Sequence, residues 1–144
     1  MVRVMATGVF DILHLGHLHY LQEAKRLGDE LYVVVATDKT AERMKHRPIT
    51  PEKMRVKLVE GLKPVDRALL GHEDDPYQIV EEIHPDIIAL GYDQRHDEEK
   101  IKEELRKRGL THVEVVRLPR FDHDLNGTRK IIRKIIQEAH RFNE

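Results

Sequence analysis

Thr7-Gly8-Val9-Phe10-Asp11-Ile12-Leu13-His14-Leu15-Gly16-His17 joins an apolar, β-branched run, Val2 to Thr7, to a segment of helical period that runs from Gly16 to Leu27. A strand feeding a helix through a glycine-bearing turn opens a βαβ unit, and in an open parallel sheet ligands collect outside the carboxyl ends of the strands. A helix that begins there offers unpaired N–H groups and a positive dipole end, both suited to a phosphate. Gly8 and Gly16 permit close backbone approach. His14 and His17 are three positions apart, so both imidazoles can face the same anion, with Gly16 between them adding no side chain.

The alternation continues along the chain. Further apolar runs lie at Leu31 to Thr37, Val65 to Leu70, Asp86 to Leu90 and His112 to Leu118, each mostly apolar, as strands covered on both faces are. Helical segments fill the intervals: Pro51 to Leu62, Pro76 to Ile83, Asp97 to Lys107 and Thr128 to Phe142, several opened by Pro or an acidic residue and several closed by Gly28, Gly109 or the Gly61 region. The pattern predicts one α/β domain, a Rossmann-like open parallel sheet with helices on both faces. Lys39 to Thr50 is the one long polar connection; it carries Lys39, Arg43, Lys45, His46 and Arg47 and is a candidate lid.

Composition narrows the chemistry. A chain of 144 residues suits one compact domain with one site. Its formal net charge of -1 excludes a global basic field for nucleic acid. Cysteine is absent, which removes disulfides, thiolate zinc sites and cysteine nucleophiles. The start, Met1-Val2-Arg3-Val4-Met5, enters a strand pattern and not a signal peptide, and no apolar run is long enough for a membrane span, so a cytoplasmic protein is expected. With ten histidines, a pair near a helix start is commonly a surface accident. The first β-to-α turn, the bracketing glycines and the preceding Gly8-Val9-Phe10-Asp11 argue for function instead. No third ligand follows at metal spacing, so no protein-held metal is expected.

Thr7-x-Gly-x-Phe10-Asp11 followed by His14-x-Gly16-His17 resembles the cytidylyltransferase-like nucleotidyltransferases, and the likeness continues through Leu21, Ala24, Leu27-Gly28-Asp29 and Val35-Ala36-Thr37-Asp38. Val9 stands where many members have Thr, which keeps a backbone N–H and deletes a hydroxyl contact. The resemblance implies catalytic roles for His14 and His17. It implies a nucleotide site formed by Thr7, Gly8, Val9, Phe10, His14, Leu15, Gly16 and His17, completed by Gly91, Asp93 and Gln94 after the fourth strand and by Thr128 in the Asn126-Gly127-Thr128-Arg129-Lys130-Ile131 turn. Acceptor contacts would fall to Asp11, Asp38, Lys45, Arg55 of Glu52-Lys53-Met54-Arg55, and Arg120. Four of these places have a structural alternative: a solvated helix charge at Arg55, a Gly-closed turn at Gly91-Tyr92-Asp93-Gln94, an N-cap at Thr128 and a turn-organising carboxylate at Asp11. His19 reads as a helix-surface residue.

The implied reaction is in-line attack by an acceptor phosphate on the α-phosphorus of a nucleoside triphosphate, with magnesium or another divalent ion accompanying the triphosphate and Asp11 available to assist it. Gly91-Tyr92-Asp93-Gln94, Asp97-Glu98-Glu99-Lys100 and Ile49-Thr50-Pro51-Glu52 look most like members that join ATP to FMN to give FAD. Members that use CTP and glycerol 3-phosphate usually carry a tryptophan after this glycine turn, and the chain has none. They rank second, and adenylyltransferases acting on heptose phosphate for lipopolysaccharide core synthesis rank third. The FMN-using relatives carry cysteines near the final turn, so no thiol role transfers. A nucleotide-binding regulatory module is the non-enzymatic alternative. Paired imidazoles argue against it, since they mainly benefit a transition state. The resemblance also implies a homodimer.

Overall fold

The computed structural model describes residues 1–121 and 127–142. Five parallel strands, β1 (Arg3–Gly8), β2 (Glu30–Val35), β3 (Arg67–Leu70), β4 (Ile87–Leu90) and β5 (Glu114–Arg117), form one sheet in the order β3-β2-β1-β4-β5. Between and after them come α1 (Leu15–Arg26), α2 (Asp38–Met44), α3 (Glu52–Glu60), α4 (Gln78–Ile83), α5 (Glu98–Lys107) and α6 (Thr128–Gln137). Chain direction away from β1 therefore reverses between β2 on one side and β4 on the other, which makes the β1/β4 edge the topological switch point.

Alternation along the strands builds two cores. On one face Val4, Ala6, Leu31, Val33 and Val35 pack with Leu21 and Ala24 of α1 and Val59 of α3. On the other, Met5, Val34, Ile88 and Leu90 pack with Ile79, Val80 and Ile83 of α4 and Leu105 of α5. Helices thus cover both faces, as the sequence predicts, and the site is left to the carboxyl ends of the strands.

Two expected boundaries change. The polar connection after β2 is not one long loop: Thr37 caps α2 by accepting the Thr40 N–H at 3.2 Å, and only residues 45–51 separate α2 from α3. Ala41 is buried on its inner side, and this single apolar contact in a seven-residue helix gives too weak a periodicity to read. The last helix ends at Gln137 and passes into a 3-10 turn over Ala139–Phe142.

Candidate active site

The turn from β1 into α1 is held in an unusual shape. Phe10 and Ile12 both have positive φ, 58° and 50°, although neither is glycine and Ile12 is β-branched. Several contacts impose this. The Phe10 ring is buried, and Asp11 accepts the N–H of Ile49 at 2.8 Å, the N–H of Thr50 at 2.9 Å and the Thr50 hydroxyl at 2.6 Å. Thr128 donates its hydroxyl to the Asp11 carbonyl at 2.6 Å, tying the start of α6 to the same turn.

His14 and His17 then open α1 by capping one another. The Gly16 N–H donates to His14 Nδ1 at 3.0 Å and the His14 N–H donates to His17 Nδ1 at 3.3 Å. The rings stack with centroids 3.7 Å apart. A backbone N–H can only donate, so both Nδ1 atoms are unprotonated and each neutral ring carries its proton on Nε2. Burial lowers the His14 pKa against the pull of Asp93. For His17, burial, then the neighbouring His14 and Lys45, outweigh Asp11 and bring it down to about 3. The pair is therefore two neutral N–H donors near neutral pH, stacked at a helix N-terminus.

A cavity of about 400 Å³ lies over this pair. Thr7 and Gly8 line it from β1, Val9 and Phe10 from the turn that follows, and Gly91, Tyr92, Asp93 and Gln94 from beyond β4. Gly127, Thr128, Arg129 and Lys130 bring a second helix N-terminus, that of α6, and Lys45 and His46 close the side nearest α2. His19, with Phe121 stacked on it at 4.4 Å, also lines the cavity and is not merely a surface residue. Two helix starts and a ring of basic groups around one cavity make a site for a polyanion.

The cleft exists because β1 and β4 part. Their pairing ends at Ala6 and Ala89, and side chains occupy the next positions of the ladder. The Tyr20 hydroxyl accepts the Thr7 N–H at 3.1 Å and donates to the Ala89 carbonyl at 2.6 Å. The Gln94 amide donates to the Thr7 carbonyl at 2.7 Å and accepts the Gly91 N–H at 3.0 Å. Burial raises the Tyr20 pKa far above its ordinary value, so the hydroxyl remains a donor. The Gln94 amide thus braces the two strands, and the same residue lines the cavity, where the resemblance puts it in the nucleotide site.

Other expected residues fall elsewhere. Arg55 cannot reach an acceptor phosphate: it is 1% exposed, and its guanidinium donates to the carbonyls of Thr50, Val9 and Ala36 at 2.7 to 2.9 Å and to Asp38 at 2.6 Å. Asp38 is engaged by that bond and does not line the cavity. Asp11 takes the turn-organising role: burial works to raise its pKa, but the bonds from Thr50 and Ile49 and the charge of Arg55 win and lower it. With both oxygens so engaged, it does not fit a metal, and among the described residues no group of three or more His, Asp or Glu could hold one. Thr128 is the first residue of α6 and not its cap, which is Gly127. Leu15 is exposed and outside the cavity, as is Arg120. Asn126, the first residue of the expected final turn, lies outside the described residues.

Sequence reasoning missed Tyr20, Arg117 and His96. The one available signal was Arg117 itself, a charge at the end of the β-branched run Val113-Glu114-Val115-Val116. His96 sits beside it; burial, then Arg117 and Lys45, lower its pKa.

Taken together, a switch-point cleft, a capped histidine pair and two helix starts define a nucleotidyltransferase, and the chain belongs to the cytidylyltransferase-like family, whose model matches residues 5–141. The FAD synthase of Aciduliprofundum boonei is 66% identical over 140 residues, covering 96% of this chain and 93% of its own. That of Thermoplasma acidophilum is 56% identical, covering 95% and 96%. A solved structure described as a lipopolysaccharide core biosynthesis protein from Thermoplasma volcanium superposes with a TM-score of 0.82 at 56% identity, covering 85% of this chain and 99% of that one.

Proposed function

We propose that the protein transfers AMP from ATP to FMN, giving FAD and pyrophosphate. The observation that carries the chemistry is the stacked His14–His17 pair, whose two Nε2–H donors stand at the start of α1 on the floor of the cavity. The substrate pair is supported by relatives named FAD synthase at 48–66% identity across nearly the whole chain. The core-biosynthesis description of the solved relative is outweighed by the FAD synthases, one of them from the same organism at 53% identity over 137 residues.

FMN ends in a phosphate monoester, largely dianionic near neutral pH because its second pKa is about 6, so it needs no strong general base. One of its oxygens attacks the α-phosphorus of ATP in line. The new P–O bond forms as the bond to the bridging oxygen breaks, and pyrophosphate leaves with that electron pair. His14, His17 and the α1 N-terminus donate to the oxygens on which charge gathers. In this reading the α6 N-terminus with Arg129 and Lys130 takes the β- and γ-phosphates and Lys45 takes the acceptor phosphate; that all three residues line the cavity supports it. ATP arrives as its magnesium complex, a substrate and not a resident cofactor. A cytoplasmic location belongs to the same reading; no helix among the described residues is long and apolar enough to cross a membrane.

The test is pyrophosphate release with ATP and FMN against CTP and glycerol 3-phosphate, with chromatographic identification of the product. FAD that disappears in His17→Ala supports the proposal. CDP-glycerol would replace the substrate pair while keeping the chemistry.

A further inference from the structure

Arg117, the last residue of β5, directs its whole guanidinium at the loop that follows β4. Nη1 donates to the carbonyls of Gly91 and Gln94, each at 2.7 Å. Nη2 donates to the His96 carbonyl at 2.6 Å and to Glu98 at 2.6 Å, and Nε donates to the same Glu98 oxygen at 2.9 Å. Every N–H of the group has an acceptor, and three of those acceptors are backbone carbonyls of one loop. Such a loop has no ladder of its own to fix it, so the fork of Arg117 supplies the shape that a strand or helix would otherwise give.

That shape is passed inward. Gln94, held by Arg117 at its carbonyl, places its side-chain amide between Thr7 and Gly91, where β1 and β4 part. Gly91, Tyr92, Asp93 and Gln94 line the cavity, whereas Arg117 does not.

We propose that Arg117 is a positioning residue for the nucleotide: gripping the loop over residues 91–98, it holds the wall of the cavity that receives the nucleoside, so that nucleotide affinity is set from β5 while the phosphoryl-transfer residues are left alone. The inference rests on the nucleotidyltransferase reading. Lysine at this position keeps the charge but concentrates its donors on one nitrogen, which cannot span three separated carbonyls and a carboxylate.

The experiment measures Arg117→Lys by calorimetric titration with ATP alone and by steady-state kinetics in both substrates. The Kd and the KM for ATP are expected to rise by about tenfold, the effect of losing one or two charge-assisted bonds. The KM for FMN and the kcat at saturating ATP stay within about twofold. A folded variant whose ATP affinity is unchanged overturns the proposal, and so does a parallel loss of kcat and of both KM values, which is what a general loss of structure produces. If Arg117→Lys does not fold, Glu98→Gln takes its place; a smaller rise in the ATP Kd alone supports the clamp, and none overturns it. Wild-type protein that binds ATP yet forms no FAD would overturn the choice of acceptor and leave the clamp standing. Wild-type protein that binds no nucleoside triphosphate would overturn both.

Discussion

Phe10 and Ile12 hold positive φ in a turn that contains no glycine between Gly8 and Gly16, and such strain of about 1–3 kcal/mol per residue persists only where neighbours over-determine it. The turn delivers His14 and His17, and its chemistry should be separable from its scaffolding. His17→Ala is expected to lower kcat by about 10²–10³ while the Kd for ATP moves far less, since the lost donor serves mainly the transferring phosphoryl group; stopped-time assays beside calorimetry check it. Arg55→Leu should do the opposite. It leaves the Val9, Ala36 and Thr50 carbonyls and Asp38 without their partner and is expected to cost about 3 kcal/mol or more of stability, read from the urea midpoint. The histidine pair was legible because its geometry is local, three positions on one helix start. Arg55 was misread because residue type and helix position are local too, whereas its burial is set by carbonyls 19 and 46 positions away. Tyr20 reaches Ala89 across 69 positions and left no mark in its own segment.

Strand and helix identities follow from alternation and period, and the sequence expectations for the five strands overlap the observed ones. Ends are decided by neighbours, which is why α2 and the 3-10 end of the last helix were not legible. The helix-closing glycines make the same point, since they close for different physical reasons. At Gly28 the backbone is in an ordinary region, but a Cβ would stand 2.7 Å from the Val2 carbonyl and 2.8 Å from side-chain carbons of Val2 and Val4. At Gly109 φ is +74° and nothing lies within 4 Å of the Cβ position. Gly28→Ala must therefore push α1 off β1 and is expected to cost about 1–3 kcal/mol and to perturb the histidine pair carried at the other end of that helix. Gly109→Ala pays only for a left-handed backbone, about 1–2 kcal/mol, with kcat unchanged. Thermal unfolding and turnover measured on both variants distinguish a packing glycine that reaches the site from a conformational one that does not.

For the molecule as a whole, the parallel order β3-β2-β1-β4-β5 places every loop that carries chemistry at one edge, and the cost of that convergence is a set of ionisable groups removed from water. His17 is the clearest case, with Phe10 at 5.4 Å on one side, His14 stacked on it, and Lys45 and Asp11 as the charges that act on it. Its pKa falls from 6.5 to about 3 on folding, so between those values the unfolded chain binds a proton that the native chain refuses. The sign follows: the stability is whole above pH 6.5 and is lost as pH falls towards 3. His14 is shifted in the same direction, and Asp11, lowered from 3.8, adds a loss of the same sign at still lower pH. From pH 7 to pH 5, His17 alone is expected to remove about 2 kcal/mol. Urea midpoints at the two pH values measure it, and His17→Asn, which cannot titrate, should unfold with most of that difference gone. A pH dependence equal in the variant and the wild type would mean that the cavity floor is wetter than its packing implies, and that the imidazoles meet the triphosphate already charged.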